Sequence, residues 1–423
     1  MRFVLILLSF VVASPAAAQL PGLPSVPLVR DLPGAVGRTV DGVTGRAGGL
    51  VEGLETPRLD QARDLLRRHP RELELDPDGD LIVRHQVVAY APSDAVLDEA
   101  KAAGFTVGSQ HVLEGLETRL VVLVAPRGMS TGKALKTLQK LDPDGVFDFN
   151  DIYLGSQSGS GGGRATGAGG GRVGLIDGGV DTGHPAFRGA KVTQQGFAGP
   201  PVPSPHGTAT GSLLVGRSDG FAGAAPGAEL IVADVYGKAP TGGSTAAIVQ
   251  ALDWMAKQKV GVINISLVGP ANAPLKAAVG GMVRRGHLIV AAVGNDGPAA
   301  KPLYPAAFDG VVGVTGVDRR NKVLLEAGRG PQVDLAAPGM DMAAAAPGGT
   351  YAGVRGTSFA APIAAGLLAR HLDRPDPALA QAALAAVTAQ AVDLGGKGRD
   401  TVYGAGLVGG DVRPDVKALK KGN

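Results

Sequence analysis

Short apolar segments that do not alternate with polar residues, spaced between residues 172 and 317, constrain the fold of this chain most strongly. Val173–Ile176 and Leu288–Val293 are examples, and stretches with helical spacing such as Ser244–Gln258 and Ala273–Arg285 lie between them. Strands that are apolar on both faces and are joined by helices predict a mostly parallel sheet covered on both sides. Such sheets bind ligands at the carboxyl ends of their strands. The remaining predicted elements are the strands Glu229–Val235, Val260–Ile265 and Val311–Val317 and the helix Thr208–Val215.

Residues 81–155 predict a second, smaller unit of α+β type. Ser93 and Ser130 each precede a helical stretch, where a serine hydroxyl can accept a hydrogen bond from a first-turn N–H group. The predicted order is β-α-β-β-α-β, which is the split βαβ, ferredoxin-like arrangement. Its elements are the strands Leu81–Tyr90, Phe105–Val112, Glu117–Val124 and Val146–Phe149 and the helices Asp94–Ala103 and Thr131–Leu141.

A glycine- and serine-rich segment, residues 156–171, separates the two units. Low-complexity sequence of this kind predicts an exposed linker. Exposed linkers between folded units are preferred sites of proteolytic cleavage.

The first 18 residues have the features of a secretory signal peptide. Arg2 supplies the positive charge, Phe3–Val12 is apolar but too short to span a bilayer, and Ala16–Ala18 forms an A-x-A cleavage site. A membrane anchor is the alternative interpretation. Residues 19–80 predict a flexible segment with one short helix at Pro57–His69. We therefore expect a secreted or periplasmic protein that has no membrane association after signal removal.

Composition excludes several classes of function. The chain has 423 residues, enough for two or three units, and its formal net charge of +3 is too small to indicate nucleic acid as a partner. It contains no cysteine, which excludes a disulfide framework, a zinc–thiolate site and a thiol nucleophile. The aspartate-rich stretch Asp76–Asp80 predicts a plain turn, because its glycine is not at the position that a calcium-binding loop requires.

Four polar residues stand at predicted strand ends or helix starts. Asp177 ends the first buried strand, His206 opens a helix, Asn295 follows a later strand, and Ser358 follows Gly356-Thr357 at the start of an apolar helix. Unpaired N–H groups at a helix N-terminus favour negative charge, which suits a nucleophile whose attack on a carbonyl creates an oxyanion. Taken singly, Ser358 could be only a helix cap, and Asp177 and Asn295 could be turn residues.

The order Asp, His, Asn, Ser, with the contexts Asp177-Gly-Gly, His206-Gly-Thr, Gly294-Asn-Asp and Gly356-Thr-Ser, closely resembles that of the subtilisin-like serine peptidases. The resemblance covers roughly residues 172–410. It implies a subtilisin-like three-layer α/β domain over residues 172–423, preceded by the α+β unit at 81–155 as a propeptide. Further segments that resemble the family are Ala225–Leu230, Val262–Leu267, Asp334–Gly339 and Val402–Val408.

The resemblance also implies roles for these residues. Ser358 would attack the scissile carbonyl, His206 would carry its proton, and Asp177 would orient the imidazole. The Asn295 side chain and the Ser358 backbone N–H would bind the oxyanion. Asp181 is a rival acid, which the family pattern disfavours. Two positions depart from that pattern: Gly178 stands where Thr or Ser is usual, and Ala209 stands where a second histidine is frequent.

By resemblance, a peptide substrate would bind as an added β-strand between residues 241–244 and 266–269. Residues 292–294 would line the primary specificity pocket. The predicted substrate-binding residues are Gly242, Gly243, Ser266, Leu267, Val268, Gly269, Ala292, Val293 and Gly294.

The expected function is that of an exported, monomeric serine endopeptidase that hydrolyses peptide bonds through an acyl-enzyme. We expect it to be made as a self-processing zymogen, with residues 81–155 as an intramolecular inhibitor and folding chaperone. No cofactor is required; the family often binds calcium, for which no site is assigned. The alternatives are a pseudoenzyme that binds peptides or partners, a serine hydrolase acting on esters, and a permanent accessory domain at 81–155.

Overall fold

The computed structural model describes residues 57–155, 171–415 and 419. The predicted signal peptide, residues 19–56 of the predicted flexible segment and nearly all of the predicted linker lie outside these residues. All described residues belong to one compact unit.

The N-terminal part contains a five-stranded antiparallel sheet whose strand β2 pairs with β1, β4 and β5, while β3 pairs with β4. The order β2-α2-β3-β4-α3-β5 is the predicted one, and Ser93 and Ser130 accept hydrogen bonds from Val96 N and Lys133 N. Strand β1 lies within the segment that was predicted to be flexible apart from one short helix, because three residues are too few to show a strand pattern. These elements are α1 (Pro57–Arg68), β1 (Leu73–Leu75), β2 (Leu81–Tyr90), α2 (Asp94–Ala102), β3 (Thr106–Leu113), β4 (Thr118–Val124), α3 (Thr131–Leu141) and β5 (Val146–Asp151).

The remaining elements are β6 (Leu154–Gly155), β7 (Arg172–Asp177), β8 (Val192–Gly196), α4 (Pro205–Val215), β9 (Arg217–Ser218), β10 (Phe221–Ala222), β11 (Glu229–Asp234), α5 (Thr245–Lys257), β12 (Val262–Ile265), β13 (Leu267–Val268), α6 (Ala273–Arg284), β14 (Leu288–Ala292), β15 (Val312–Val317), β16 (Leu335–Pro338), β17 (Met340–Ala346), β18 (Thr350–Arg355), α7 (Thr357–Ala369) and α8 (Pro377–Thr388). Two short 3₁₀ turns, Pro185–Phe187 and Pro347–Gly349, interrupt the loops between them.

Seven of these strands form one sheet in the order β16-β15-β14-β12-β7-β11-β8, and every pairing in it is parallel. The five central strands are the ones predicted from their apolar runs. The two edge strands were not predicted, because β8 is polar and β16 is short and ends in a proline. A mostly parallel sheet in a three-layer α/β domain is therefore confirmed.

Two hydrophobic cores lie on the two faces of this sheet. On one face Val173 and Leu175 pack against α4 and α7, and on the other Ile176 and Ile263 pack against α5 and α6. Burying each of these side chains contributes about 1.5–3 kcal/mol. The second core also includes Leu120 and other residues of the antiparallel sheet, so helices α5 and α6 are covered by that sheet.

The parallel sheet determines where the candidate site forms. Strands β7 and β14 run in the same direction, so the residues that follow them emerge at the same edge. Helices α4 and α7 begin at that edge with His206 and Ser358 in their first turns. Across residues 57–155 and 171–415, no helix is both long and apolar enough to cross a bilayer.

Candidate active site

The Asp177 carboxylate and the His206 imidazole are buried and in contact with each other at the carboxyl edge of the sheet. The His206 Nδ1 atom lies 2.8 Å from both carboxylate oxygens of Asp177, and the two residues are 1% and 7% exposed. The hydroxyl of Thr210, one turn further along α4, lies 3.2 Å from the same carboxylate, and 3.0 and 3.1 Å from the His206 and Gly207 carbonyl oxygens, to which it can also donate. These contacts fix the orientation of the imidazole. Asp181, the rival acid, instead accepts a hydrogen bond from the Gly183 N–H in its own turn.

Close packing around Ser204 explains why glycine follows Asp177. Ser204 is the N-cap of α4, and its hydroxyl accepts a hydrogen bond from the Gly207 N–H. A Cβ atom at Gly178 would lie 2.3 Å from the Ser204 hydroxyl oxygen, and one at Gly207 would lie 2.1 Å from the Gly178 carbonyl oxygen. Glycine at both positions therefore lets helix α4 approach β7 closely enough for His206 to reach Asp177.

Ser358 lies in the first turn of α7 and is fully buried. Its hydroxyl donates to the Ser266 carbonyl oxygen at 3.2 Å, and its own carbonyl accepts a hydrogen bond from the Ser266 hydroxyl at 2.8 Å. That carbonyl has no helical donor four residues on, because Pro362 has no N–H group. The Asn264 side-chain amide in turn donates to the Ser266 hydroxyl at 2.8 Å. Asn264 and Ser266 thus hold the backbone from which the Ser358 hydroxyl projects.

Asn295 follows β14 and is attached to the start of α7. Its side-chain oxygen accepts a hydrogen bond from the Thr357 N–H at 3.1 Å. Because this bond uses the side-chain oxygen, the N–H₂ group of the same amide is available as a donor next to the turn that carries Ser358. The preceding Gly294 has φ +94°, a left-handed conformation that glycine adopts without strain. The side-chain amide of Asn295 is therefore held beside this turn, and its role as an oxyanion donor stays a prediction.

The imidazole of His206 is paired on one side only. Its Nε2 atom is buried and has no hydrogen-bond partner among the described residues. The ring contacts Phe359, the residue after Ser358, with ring centroids 5.5 Å apart. The Ser358 hydroxyl is bonded to Ser266 instead, so the serine–histidine hydrogen bond is not formed in this conformation. Such bonds often tighten only when substrate is bound.

Residues 152–155, here called the tail, occupy the groove predicted to hold substrate. Leu154 and Gly155 (β6) pair antiparallel with Val268 and Leu267 (β13). On the opposite side of the groove, Ile152 forms an antiparallel bridge with Ser244. A Cβ atom at Gly155 would lie 3.4–3.5 Å from the His206 ring. The tail is thus an added β-strand that ends beside the imidazole.

Tyr153 anchors the tail. It is fully buried, its N–H donates to the Gly243 carbonyl at 2.8 Å, and its hydroxyl donates to the Pro270 carbonyl at 2.8 Å. The Tyr236 hydroxyl donates to the Tyr153 carbonyl at 2.9 Å. A Cβ atom at Gly269 would lie 2.6 Å from the Tyr153 ring, so the glycine makes room for the ring.

Residues just before the tail bind the N-termini of α5 and α6. The Ala246 N–H donates to the Asn150 side chain at 3.1 Å, and the Ala273 N–H donates to the Asp148 carboxylate at 2.9 Å. Asn272, the N-cap of α6, donates to the buried Asp151 carboxylate at 2.7 Å. These contacts join the antiparallel sheet to the helices of the larger part.

Burial dominates the electrostatics of this junction. It raises the pKa of Asp151 well above its ordinary value, and the charges of Asp148, Asp76 and Asp80 act in the same direction. Burial also raises the pKa of Asp148. Both carboxyl groups therefore hold a proton more tightly here than they would in water.

The other predicted substrate-binding residues, Gly242 and residues 292–294, make no hydrogen bond to the tail among the described residues. Gly242 forms the turn before Gly243, and its N–H donates to the Ala239 carbonyl. Ala292 and Val293 point into the two hydrophobic cores. The role of residues 292–294 at the primary pocket therefore stays a prediction.

Sequence reasoning did not identify Ser204, Thr210, Asn264 and Tyr153. Thr210 could have been found, because it lies four residues after His206 and so shares its helix face. Ser204 also carries a local signal, because it caps its own helix. Tyr153, and Asn264 through Ser266, act on distant segments, which no local pattern shows.

Cation ligands are not grouped in the part of the chain that the structure describes: no set of three or more His, Asp or Glu side chains is arranged as a metal site. In the Asp76–Asp80 turn, the Asp76 carboxylate accepts hydrogen bonds from the backbone N–H groups of Asp78 and Asp80. The role of calcium stays open.

The Subtilase family model matches residues 169–406, more than half of the chain. Subtilisin Savinase of Lederbergia lenta is 36% identical over 203 residues, which cover 47% of this chain and 74% of Savinase. M-protease of Shouchella clausii (strain KSM-K16) is 33% identical over 242 residues, which cover 56% of this chain and 62% of M-protease. The match therefore spans less than two thirds of M-protease.

Among solved structures, this fold is similar to fervidolysin from Fervidobacterium pennivorans, described as a keratinolytic enzyme related to subtilisin. The TM-score is 0.66, and the likeness covers 82% of this chain and 62% of fervidolysin. The sequence identity is 20%, so this likeness concerns the fold alone.

Proposed function

The chain belongs to the subtilase family of serine endopeptidases, and we propose on that premise that it is an exported peptidase made as a self-processing zymogen. The observation that carries this proposal is the tail, which lies as a β-strand along β13 and ends beside His206. A segment of the chain held like a substrate next to a base and a buried serine is the arrangement that self-cleavage requires.

In the proposed reaction the Ser358 hydroxyl leaves its hydrogen bond to Ser266 and turns toward His206. Its oxygen attacks the scissile carbonyl carbon while His206 Nε2, which has no hydrogen-bond partner among the described residues, accepts the proton. Asp177 and Thr210 hold the ring so that Nε2 faces the serine and stabilise the imidazolium. His206 then gives the proton to the leaving amine. Water next attacks the acyl-enzyme in place of the serine hydroxyl, and His206 again accepts the proton and returns it to Ser358.

The oxyanion formed in this reaction would be bound by two donors. The Asn295 amide is oriented by the Thr357 N–H, which occupies its oxygen. The Ser358 N–H lies in the first turn of α7, where backbone donors lack helical partners and the helix dipole favours negative charge. Because both donors are fixed before the reaction, they need little reorganisation when the charge develops.

Inhibition before activation follows from occupancy of the groove. The tail uses the same backbone groups that a substrate strand would use, on both Gly243 and β13. Since Leu154 and Gly155 still pair with β13, we propose that the cleaved bond lies after Gly155, within residues 156–171. The same contacts imply that substrates bind as extended peptides, with a large apolar side chain fitting the Tyr153 site.

The site also bears on the alternatives. A pseudoenzyme would need no oriented Asn295 amide or paired His206, and both are present. An ester hydrolase would need no two-sided strand groove, and this groove holds four consecutive residues of the chain. A permanent accessory domain would leave the groove closed to other substrates.

The test is paired expression, without the signal peptide, of the native chain and Ser358→Ala, followed by intact mass analysis, casein digestion and labelling with a fluorophosphonate. We expect the native chain to be cut within residues 156–171, to label at Ser358 and to digest casein. The variant should stay whole and unlabelled. A native chain that stays whole, and does not label after its linker is cut by another protease and the N-terminal fragment is removed, would overturn the proposal. Labelling with turnover of esters but not of proteins would favour the ester hydrolase.

A further inference from the structure

Helix α1 lies outside the predicted α+β unit, yet it packs on the tail. Ile152 and Leu154 lie on the side of the tail opposite to Tyr153, because side chains alternate along an extended strand. Both are buried in a small apolar cluster that α1 completes. The other members are Leu73, Leu81 and Val83 from β1 and β2 and Ala62, Leu65 and Leu66 from α1. The tail is thus held between the groove on one side and α1 on the other.

A second contact joins α1 directly to the candidate active site. The Arg58 Nε atom donates to the Asp296 carboxylate at 2.6 Å, and the two side chains are only 11% and 8% exposed. Asp296 immediately follows Asn295 in the chain. Its other carboxylate oxygen is buried and has no partner among the described residues. Loss of Arg58 would therefore leave a largely buried carboxylate without its cation, which is strongly unfavourable.

We propose that helix α1, residues 57–68, is a second inhibitory element: a clamp that holds the tail in the groove and is fastened beside Asn295 by the Arg58–Asp296 pair. The proposal rests on the proposed zymogen. The clamp and the tail lie on the same fragment and are both attached to the peptidase part, so release of one leaves the other bound at high effective concentration. Cleavage of the linker alone is then insufficient for activity, because the cut fragment leaves slowly.

The test separates the clamp from catalysis by using Ser358→Ala in the full chain, with the linker cut by an added protease. The readout is the rate at which the N-terminal fragment dissociates, followed by size-exclusion chromatography and mass analysis over time. Adding Arg58→Gln should raise this rate about tenfold, a moderate effect for a pair that keeps some exposure. Arg67→Gln is the matched control, since Arg67 is 76% exposed and its ion pair among the described residues is with Asp64 of its own helix.

Asp296→Asn gives an independent measurement of the same contact. It should raise the dissociation rate as Arg58→Gln does. The rate for the double variant should be only slightly higher than for either single variant, because both changes remove the same ion pair. Equal dissociation rates for Arg58→Gln and Arg67→Gln would overturn the clamp, and so would additive effects of Arg58→Gln and Asp296→Asn. Because none of these measurements needs a working Ser358, they stand whether or not the enzyme self-processes.

Discussion

Ser266 and Ser358 exchange two hydrogen bonds in the candidate active site, each hydroxyl donating to the carbonyl of the other residue. One of these bonds exists because Pro362 leaves the Ser358 carbonyl without a helical donor. A proline inside a helix would ordinarily be a defect. Here it frees an acceptor that ties the first turn of α7 to strand segment 264–268.

This relationship predicts the effect of Ser266→Ala. The change leaves the buried Ser358 carbonyl without a donor, which costs about 1–3 kcal/mol, and loosens the turn that carries the nucleophile. We expect kcat/KM for a peptide substrate to fall about tenfold or more. In a Pro362→Ala background the restored N–H can satisfy the carbonyl, so the same change should cost less there. Equal losses in the two backgrounds would show that the hydroxyl bond does not position Ser358.

Asn295→Ala should remove one oxyanion donor. We expect kcat to fall by about 10²–10³, the range known for loss of this donor in a subtilisin, with KM little changed. The measurement is steady-state kinetics on mature enzyme, with thermal unfolding as the control for the lost Thr357 contact. A rise in KM at constant kcat would instead assign Asn295 to substrate binding.

Tyr153 variants should separate the packing of the tail from its hydrogen bonding. Tyr153→Phe removes only the bond to the Pro270 carbonyl and should weaken inhibition by the bound fragment about fivefold. Tyr153→Ala also empties a fully buried site and should weaken inhibition by far more. The measurement is the inhibition of mature enzyme by added N-terminal fragment. If both variants inhibit like the native fragment, Tyr153 does not anchor the tail.

The buried carboxyl groups of Asp148 and Asp151 predict a pH dependence. Their pKa values are raised in the bound state, so that state holds more protons than the free fragment between the ordinary and the raised values. Binding should therefore be tightest at low pH and weaken as pH rises through this window, by up to about tenfold per pH unit for each group. Asp76 and Asp80 add negative charge from the β1–β2 turn.

Asp151→Asn provides the control for this dependence, because it keeps the shape of the side chain but cannot ionise. Fragment dissociation measured from pH 4 to 8 should show a shallower pH profile for the variant than for the native chain. An identical profile would assign the pH dependence to other groups.

The sequence was sufficient to predict the centre of the large sheet but not its edges. The central strands are apolar on both faces because helices cover them on both sides. Strand β8, with the sequence Val-Thr-Gln-Gln-Gly, has a neighbour on one side only and tolerates polar residues, so its sequence has no strand signature. Strand β16 ends at a proline, which an edge accepts.

At the site, the residues with short motifs were predictable, and those that act through tertiary contacts were not. Asp177, His206, Asn295 and Ser358 stand at strand ends and helix starts that the sequence reveals. The reason for Gly178 became clear only when Ser204, 26 positions later in the chain, was seen against it. Arg58 and Asp296 are 238 residues apart, and the motif that contains Asp296 gives no sign of its contact with Arg58.

The contacts of Asn150 and Asp148 with the first turns of α5 and α6 have a consequence for the stability of the peptidase part after processing. While the N-terminal part is present, it supplies acceptors to two helices of the peptidase part and covers their apolar faces. If, as proposed, that part is cut away and lost, an unfolded peptidase chain would no longer have the surface against which these helices pack. The mature enzyme would then persist because it unfolds slowly, and its lifetime would be set by a rate rather than by an equilibrium.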